Sequence, residues 1–582
     1  MDSRRAWAEL SLFMVAVSTK YKRPKGAPDL SEYRKRYPLT VANFGALANR
    51  EAWLDQVWQA NVLWRQAMKR TAEAKEAIVR GAPPKNLAVE GEFEIIYAGG
   101  VLGLLHAAVM SSHYKRRVMV FDEQAIGESR RDWNLSDDEL RAFERAGAFT
   151  RNEIESSVLN RSRSGFVKFH DVASRVKTPP LWVEGVLNVS INADRLLALA
   201  SAKLAGSETR SALMSNVRFV RCYIQKERVL VEVEETGTKK RMLFSARLFV
   251  DASGANSLVA RQLNERTSIT HVCPTVGTVA RGFVRGVEPN QVDFNVGEIL
   301  VSRDDARDHR QLIWEGFGGN KERDEYATRL FFYDAVDSPA DKSLLALFER
   351  YFEQLPGYKR AGAQWRVLKP VFGYAPSSQD RRLRGRRCTA DERVMLLGDA
   401  ASLSSPLPSG RYGLHVRTLQ RVTHLTDLAL RADLLDASSL SEINMDDSRR
   451  VAEMSALAEF LRPTPKSAPA AVNETLNAVM AALHSLDERV RRELFQDRIS
   501  FNALKRLLSR TAKLYPRIFQ RVREHFGARG AFWWLAQMAT AAFKERRAPH
   551  SLPEEDQSED AAQTFARYLS LYKNQHGADN HD

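Results

Sequence analysis

The residues with chemistry to offer fall into three short glycine-bearing stretches. The first follows an apolar, β-forming run from Phe93 to Tyr97 and reads Ala98, Gly99, Gly100, Val101, Leu102, Gly103. In the register of a G-x-G-x-x-G fingerprint, the three key positions are Ala98, Gly100 and Gly103. Glycine at 100 lets backbone approach a pyrophosphate, and glycine at 103 lets the following helix pack close to a sheet. That helix, predicted from Val101 to His113, offers free N–H groups and a partial positive charge to phosphates. A second apolar run from Val118 to Phe121 ends on Asp122 and Glu123. An acid there, about 20 residues after the glycines, binds ribose hydroxyls.

The second stretch is an apolar run, Arg247 to Val250, leading into Asp251, Ala252, Ser253 and Gly254. The third is a run from Arg393 to Leu397 ending in Gly398, Asp399 and Ala400, with Pro406, Gly410 and Gly413 beyond it and a helix through Leu428. A strand ending in D-x-x-G and a strand ending in Gly-Asp-Ala are the second and third marks of two-part flavin-binding domains. Asp251 and Gly254 form a backbone turn beside the pyrophosphate and ribityl region. Asp399 accepts hydrogen bonds from the ribityl chain. The helix after Gly410 aims its N-terminus at the flavin edge, where negative charge gathers on reduction. The three stretches occur in the expected order, so FAD is the predicted cofactor. With one dinucleotide fingerprint, no separate NAD(P)H domain is expected. Arg130 and Arg131, in the loop after the second strand, either meet the cofactor's phosphates or adenosine end or form a surface pair.

These residues require an α/β scaffold: a Rossmann-like two-part FAD-binding domain with an inserted antiparallel β substrate domain, plus helical N- and C-terminal regions. The predicted limits are a helical region at 1–90, the FAD-binding domain at 91–430 with its insert at about 270–380, a helical region at 431–547, and a disordered polar tail at 548–582. Glu51 to Arg70 places Leu54, Val57, Trp58, Trp64 and Met68 on one helical face, a core stripe. Gly81-Ala82-Pro83-Pro84 breaks the chain before the nucleotide unit. Asn134 or Ser136 caps a helix opening on Asp137, Asp138 and Glu139. Ile191 to Lys203 reads as an amphipathic helix. Short β-forming runs at Gly277 to Val284, Gln311 to Trp314, Arg329 to Tyr333 and Trp365 to Phe372 make up the insert, a usual site for a substrate pocket.

The 582 residues allow two to four folding units. Cys222, Cys273 and Cys388 are widely spaced, which fits a reducing compartment and argues against a disulfide scaffold or a zinc site. No metal site is expected. The formal charge of +15 is read as a solvated arginine-rich surface, attraction to an anionic membrane, or nucleic-acid binding. The spread of the basic residues and the lack of a nucleic-acid motif argue against the last. No run reaches the roughly 18–20 apolar residues that span a bilayer. Ala8 to Val17 and Ala531 to Phe543 are apolar enough either to pack on the body or to lie on a membrane surface. The expected location is cytoplasmic, with peripheral contact on the inner face of a membrane left open.

Several stretches carry a further likeness: FEIIYAGGVLGLL, the RDWNLS of Arg131 to Ser136, WVEGVLNVSINADRLL, the WEGF of Trp314 to Phe317, VFGYAP, LLGDAASLSSP and LLDASSL. Together they resemble the flavoprotein lycopene cyclases of photosynthetic bacteria and their plant and cyanobacterial paralogues, over about residues 45 to 545. RDWNLS is the most specific of these. The resemblance implies an FAD enzyme that needs its flavin reduced, with NAD(P)H as an available donor, and that closes a ring on an apolar polyene without net redox change. It implies that Glu315, within WEGF, is the general acid, kept protonated by an apolar pocket. Reduced flavin would stabilise the carbocation electrostatically. It also leaves open a monooxygenase or reductase acting on another apolar substrate, and a non-catalytic carotenoid-binding paralogue. The chain departs from the family pattern at Ala98 and at Ser409-Gly410-Arg411-Tyr412-Gly413.

Overall fold

Four apolar runs lie side by side in a first sheet, because strands buried on both faces need covering on both. A computed structural model describes residues 23–68, 76–129, 133–264, 269–377, 387–402, 410–444, 457–527 and 560–575. In its nine-stranded first sheet the order is Ile78–Arg80, Val217–Ile224, Val229–Glu235, Arg241–Asp251, Val89–Ala98, Val118–Asp122 and Ala212–Ser215. Off this path, Val394–Leu396 joins Arg241–Asp251 and carries the ninth strand, Ala390–Asp391. Residues 95–98, 118–121, 248–251 and 394–396 are all buried. The helices Leu102–Ser112 and Ala193–Ala205 pack on one face together with Gly410–Arg431.

A second sheet has eight strands, in the order Asp334–Ala335, His271–Phe283, Glu325–Phe331, Ile313–Gly318, Val296–Val301, Ser164–Lys168 and Leu181–Val183, with Ala361–Ser377 paired to His271–Phe283. The predicted insert at 270–380 supplies most of it, but two of its strands come from residues 164–183. Ser164–Lys168 pairs parallel to Val296–Val301, a long-range pairing that a five-residue run does not announce. One face packs on Leu344–Tyr358 and the N-terminal helices, including Arg50–Met68 with its buried Leu54, Val57 and Trp64. Glu349 ties these together by accepting from the Leu39 and Thr40 amides, each at 2.9 Å. The other face is covered toward one end by Ala471–His484, Glu488–Phe495 and Phe501–Leu514. A three-stranded sheet of Trp133–Leu135, Val189–Ile191 and Val158–Arg161 completes the β structure.

The C-terminal tail differs from its expected disorder. Ala561–Gln575 is a helix, and its Phe565, Tyr568 and Tyr572 are buried in the same core as Gly410–Arg431. Tyr572 Oη lies 2.9 Å from His424 Nδ1. The acids and polar residues before it dominate the tail's composition and hide this aromatic stripe at i, i+3 and i+7. No helix among the described residues is long and apolar enough to cross a membrane. Both apolar segments singled out for membrane contact, at 8–17 and 531–543, lie outside the described residues.

A buried charge cluster joins the second sheet to its helical cover. Glu459 Oε1 pairs with His271 Nε2 at 2.7 Å, and Arg462 Nη2 reaches Glu459 Oε2 at 2.7 Å. His525 Nδ1 lies 3.7 Å from Oε2. Burial works to raise the Glu459 pKa, but pairing with His271, His525 and Arg462 outweighs it and holds the carboxyl well below its ordinary value. A depressed carboxyl stabilises the fold above its unfolded pKa, and the contribution is lost as pH falls through the folded value. Glu459→Gln is therefore expected to lower stability at neutral pH by about 3 kcal/mol. The difference from the parent protein should begin to narrow only as pH falls below the ordinary carboxyl value of about 4, and should close below the depressed folded value, in denaturant titrations run across pH.

Candidate cofactor and substrate site

The three glycine-bearing stretches leave the first sheet at one level. Ala98 is paired with Phe121 and Asp251, and Asp251 with Leu396, all in parallel strands. Each loop is fastened to its neighbour by backbone: Gly99 N–H to Phe121 O (2.8 Å), Ala252 N–H to Ala98 O (2.8 Å) and Leu397 N–H to Asp251 O (2.9 Å). Their turns thus open together at the carboxyl edge of a parallel sheet, where such folds bind ligands.

Gly99 has φ +114°, and a Cβ there would stand 2.3 Å from Ala252 O. The loop therefore needs glycine at 99, the position between Ala98 and Gly100 of the fingerprint. Gly103 faces Tyr97 Cβ and Ala252 Cβ at 3.4 and 3.5 Å from its own would-be Cβ, the predicted close packing of helix on sheet. Val101, at the N-cap of Leu102–Ser112, is exposed and provides no side-chain cap. The first-turn amides of this helix are thus left for an anion.

Asp122 and Glu123 divide. Asp122 turns back over the loop, with Oδ2 accepting from Gly100 N–H (2.6 Å) and Oδ1 from Gln124 N–H (2.8 Å). Glu123 is exposed. Asp251 is buried and accepts from Ser253 N–H (2.9 Å), Ser253 Oγ (2.6 Å) and Ser257 Oγ (2.7 Å). Burial raises its pKa against these hydrogen bonds. Its part is to shape the turn, leaving the backbone at Gly254 (φ +87°) with open space beside it.

Gly398 (φ +62°) lies against Leu102, whose Cδ2 would be 2.7 Å from a Cβ at 398. Asp399 is half-buried, and its carbonyl accepts from Ser402 N–H at 3.1 Å. Gly410 opens the helix Gly410–Arg431. Arg130, Arg131 and Pro406 lie outside the described residues.

Of the two expected caps, Asn134 and Ser136, the structure uses Ser136, while two further features escaped the sequence reading. Ser136 caps the helix Asp137–Arg145 in a full capping box with Glu139, and the spelling S-x-x-E is legible. The further reach of Glu139 is not. It is buried, pairs with Arg417, and stands where a Cβ on Gly413 would come within 2.2 Å of its Oε1. Trp133 stacks on Tyr412 at 3.9 Å between ring centroids. The WNLS end of the RDWNLS stretch thus packs on the first turns of the helix that follows the third signature. The second feature is His106, in Leu102–Ser112, whose pKa burial and then His415 push down to about 3.

Glu315 stands on the second sheet, fully buried on Ile313–Gly318. Its cross-strand partner is Arg329, with Nη1 at 3.3 Å from Oε2. Gly277 lies opposite Arg329 on the next strand, where a Cβ would be 3.1 Å from Arg329 Cγ. The surroundings expected for a general acid were apolar, but the structure places a guanidinium beside the carboxylate. Fourteen residues separate the pair, and only strand register brings them together. Nearer the rim of the same sheet is a cavity of about 310 Å³, reached by Asn134, Ser190, Asn192, Val279, Gly319 and Ala327. Among the described residues no cluster of three or more His, Cys, Asp or Glu is placed to hold a metal.

The turns fit a dinucleotide: an uncapped helix end, glycine-only backbone at 99, open space at Gly254 and an acid after the second strand meet at one edge. No protein-family model matches the chain, and no curated protein sequence matches it. Solved structures match in fold. A geranylgeranyl bacteriochlorophyll reductase-like protein from Thermoplasma acidophilum aligns over 74% of this chain and 99% of its own, with TM-score 0.51 and 11% identity. The halogenase PltM aligns over 83% of this chain and 96% of its own, with TM-score 0.51 and 13% identity. A PltM variant solved with FAD gives TM-score 0.50 at 14% identity over the same shares. The fold is therefore that of FAD-binding oxidoreductase-type enzymes, as the sequence predicts.

Two glycine substitutions separate crowding from backbone strain. Gly99→Ala meets the Ala252 carbonyl and is expected to abolish flavin retention and lower the thermal midpoint sharply. Gly254→Ala meets nothing within 4 Å, so only its positive φ opposes it, at about 1–2 kcal/mol. Flavin absorbance and thermal melts on the purified variants check both.

Proposed function

We propose that the chain is an FAD-dependent oxidoreductase, a reductase or monooxygenase acting on an organic substrate. The observation that carries this reading is the shared level of Ala98, Asp251 and Leu396 across adjacent parallel strands, which gathers three separate flavin-domain signatures at one edge. FAD, when bound, supplies hydride and electron exchange. Gly99, Gly100 and the first-turn amides of Leu102–Ser112 would hold its pyrophosphate. Asp122 would take ribose hydroxyls while ordering the loop through Gly100 N–H. Gly398 and Asp399 would hold the ribityl chain. The helix Gly410–Arg431 would offer its positive end to the flavin edge.

The reaction class turns on Glu315. A general acid must hold a proton before it gives one, and an adjacent guanidinium favours the anion. Arg329 at 3.3 Å gives Glu315 a charged neighbour where the cyclase reading expects apolar surroundings. The pair is buried and ties two strands of the second sheet together. A second reading, redox-neutral ring closure of a polyene in the manner of the lycopene cyclases, is supported by the burial of Glu315 on the substrate sheet at the WEGF position.

Purified protein is expected to carry FAD, to show flavin reduction by NAD(P)H, and to leave the pigments of lycopene-accumulating cells unchanged on chromatography. Glu315→Gln is expected to retain flavin reduction while losing about 3 kcal/mol of stability through the broken Glu315–Arg329 pair. Cyclic carotenes that disappear in Glu315→Gln would overturn this reading in favour of the second.

A further inference from the structure

We propose that the cavity at the rim of the second sheet binds the carboxylate end of an organic acid. The proposal names the substrate class for the enzyme proposed above, and it rests on that reading for calling the bound molecule a substrate.

None of the glycine-bearing signature residues lines this cavity. Its floor is built from three stretches far apart in sequence, all within the segments that set this chain apart. Asn134 comes from the strand after RD, Ser190 and Asn192 from NVSINADRLL, and Gly318 to Asn320 from the turn after WEGF. One hydroxyl pins them together: Ser190 Oγ lies 2.9 Å from Asn134 Oδ1 and 2.6 Å from Gly318 O. Asn192 also caps Ala193–Ala205 by accepting from Arg195 N–H. Val279 and Ala327 on the sheet form an apolar wall. A volume of about 310 Å³ lies at the small end of ligand pockets, which run roughly 300–1,000 Å³.

The floor is tied together through Ser190, so it sets the shape of the cavity and leaves the choice of ligand to the wall and the mouth. The mouth selects the charge. Arg195, Arg323 and Lys369 stand there against Asp194 and Glu325. Asp194 is already engaged, accepting from Ser129 N–H at 2.6 Å and facing Lys369 Nζ at 3.9 Å. Lys369 in turn donates to Ser129 O at 2.8 Å. Arg323 sits on a turn fixed by its own N–H donating to Asn320 Oδ1 (3.0 Å). The neighbouring Asp324 is taken by Arg285 and by Gly282 N–H. Among the described residues the Arg323 guanidinium has no ion-pair or hydrogen-bond partner. A guanidinium at the mouth of a polar-floored, apolar-walled cavity suits a carboxylate carried on a short apolar body.

Calorimetry on the full chain with octanoate and 1-octanol tests this, with flavin absorbance recorded on the same samples. Octanoate is expected to bind about tenfold or more tightly than 1-octanol. Arg323→Gln, at an exposed position, should bring octanoate to the level of the alcohol. Lys321→Gln, two residues away and outside the cavity, should leave both unchanged. Ala327→Leu, which fills the wall, should weaken both. Equal binding of acid and alcohol, no octanoate binding by FAD-loaded protein, or equal effects of Arg323→Gln and Lys321→Gln would each overturn the proposal. Protein that lacks flavin yet binds octanoate through Arg323 would overturn the flavin reading and leave the carboxylate site standing.

Discussion

Everything at the candidate site depends on three backbone hydrogen bonds across the ends of parallel strands. Gly99 N–H, Ala252 N–H and Leu397 N–H each bind the carbonyl of a neighbouring strand, at 2.8, 2.8 and 2.9 Å. Parallel strands have no tight turn to set their register, so long connections must deliver it. Here 153 and 145 residues separate Ala98 from Asp251 and Asp251 from Leu396. Burial fixes the register from within: residues 95–98, 248–251 and 394–396 are buried, so slipping one strand by a residue would turn all its side chains to the wrong face. The glycines are the consequence. Once the loops leave at one level, Ala252 O occupies the space where a Cβ on Gly99 would go.

The second sheet solves a different problem. It packs against helices on both faces, those at the N-terminus with Leu344–Tyr358 and those of 471–514, and it carries charge inside. The Arg329–Glu315 pair joins two strands of this sheet, the His271–Glu459 pair joins a strand to the helical cover, and both are buried. Buried pairs contribute little net stability compared with apolar packing, but breaking one is costly. They fix which strand and which helix meet, because a shifted partner would leave a charge alone in the core. Gly277 serves the same end by making room for the stem of Arg329.

The sequence made the sheet ends legible because glycine turns, apolar runs and acids are local features with fixed spacing. It offered the cap at Ser136, as one of two candidates with Asn134, and the close approach at Gly103 for the same reason. What it could not show was created by register or by distant packing. The partner of Glu315 follows from pairing Ile313–Gly318 with Glu325–Phe331. The two strands at 164–183 extend the insert only because Val296–Val301 leaves an edge for them. The terminal helix was masked by its polar surroundings, although Phe565, Tyr568 and Tyr572 spell an amphipathic face.

The short strand Trp133–Leu135 links the two halves of the site. Side chains alternate along a strand, so its three residues serve two sides. Trp133 and Leu135 enter the core of the nucleotide unit, and Trp133 stacks on Tyr412 in the helix after the third signature. Asn134, between them, reaches the cavity and the Ser190 hydroxyl. Immediately beyond, Glu139 reaches the same helix at Gly413 and Arg417. A displacement of Asn134 by a ligand would therefore be felt at the first turns of Gly410–Arg431. Three residues of extended chain are too short to absorb such a shift between two packed faces. The physical reason a W-N-L-S run sits after the second strand is thus its alternation: one face holds the helix proposed to meet the flavin, and the other holds the floor proposed to meet the substrate.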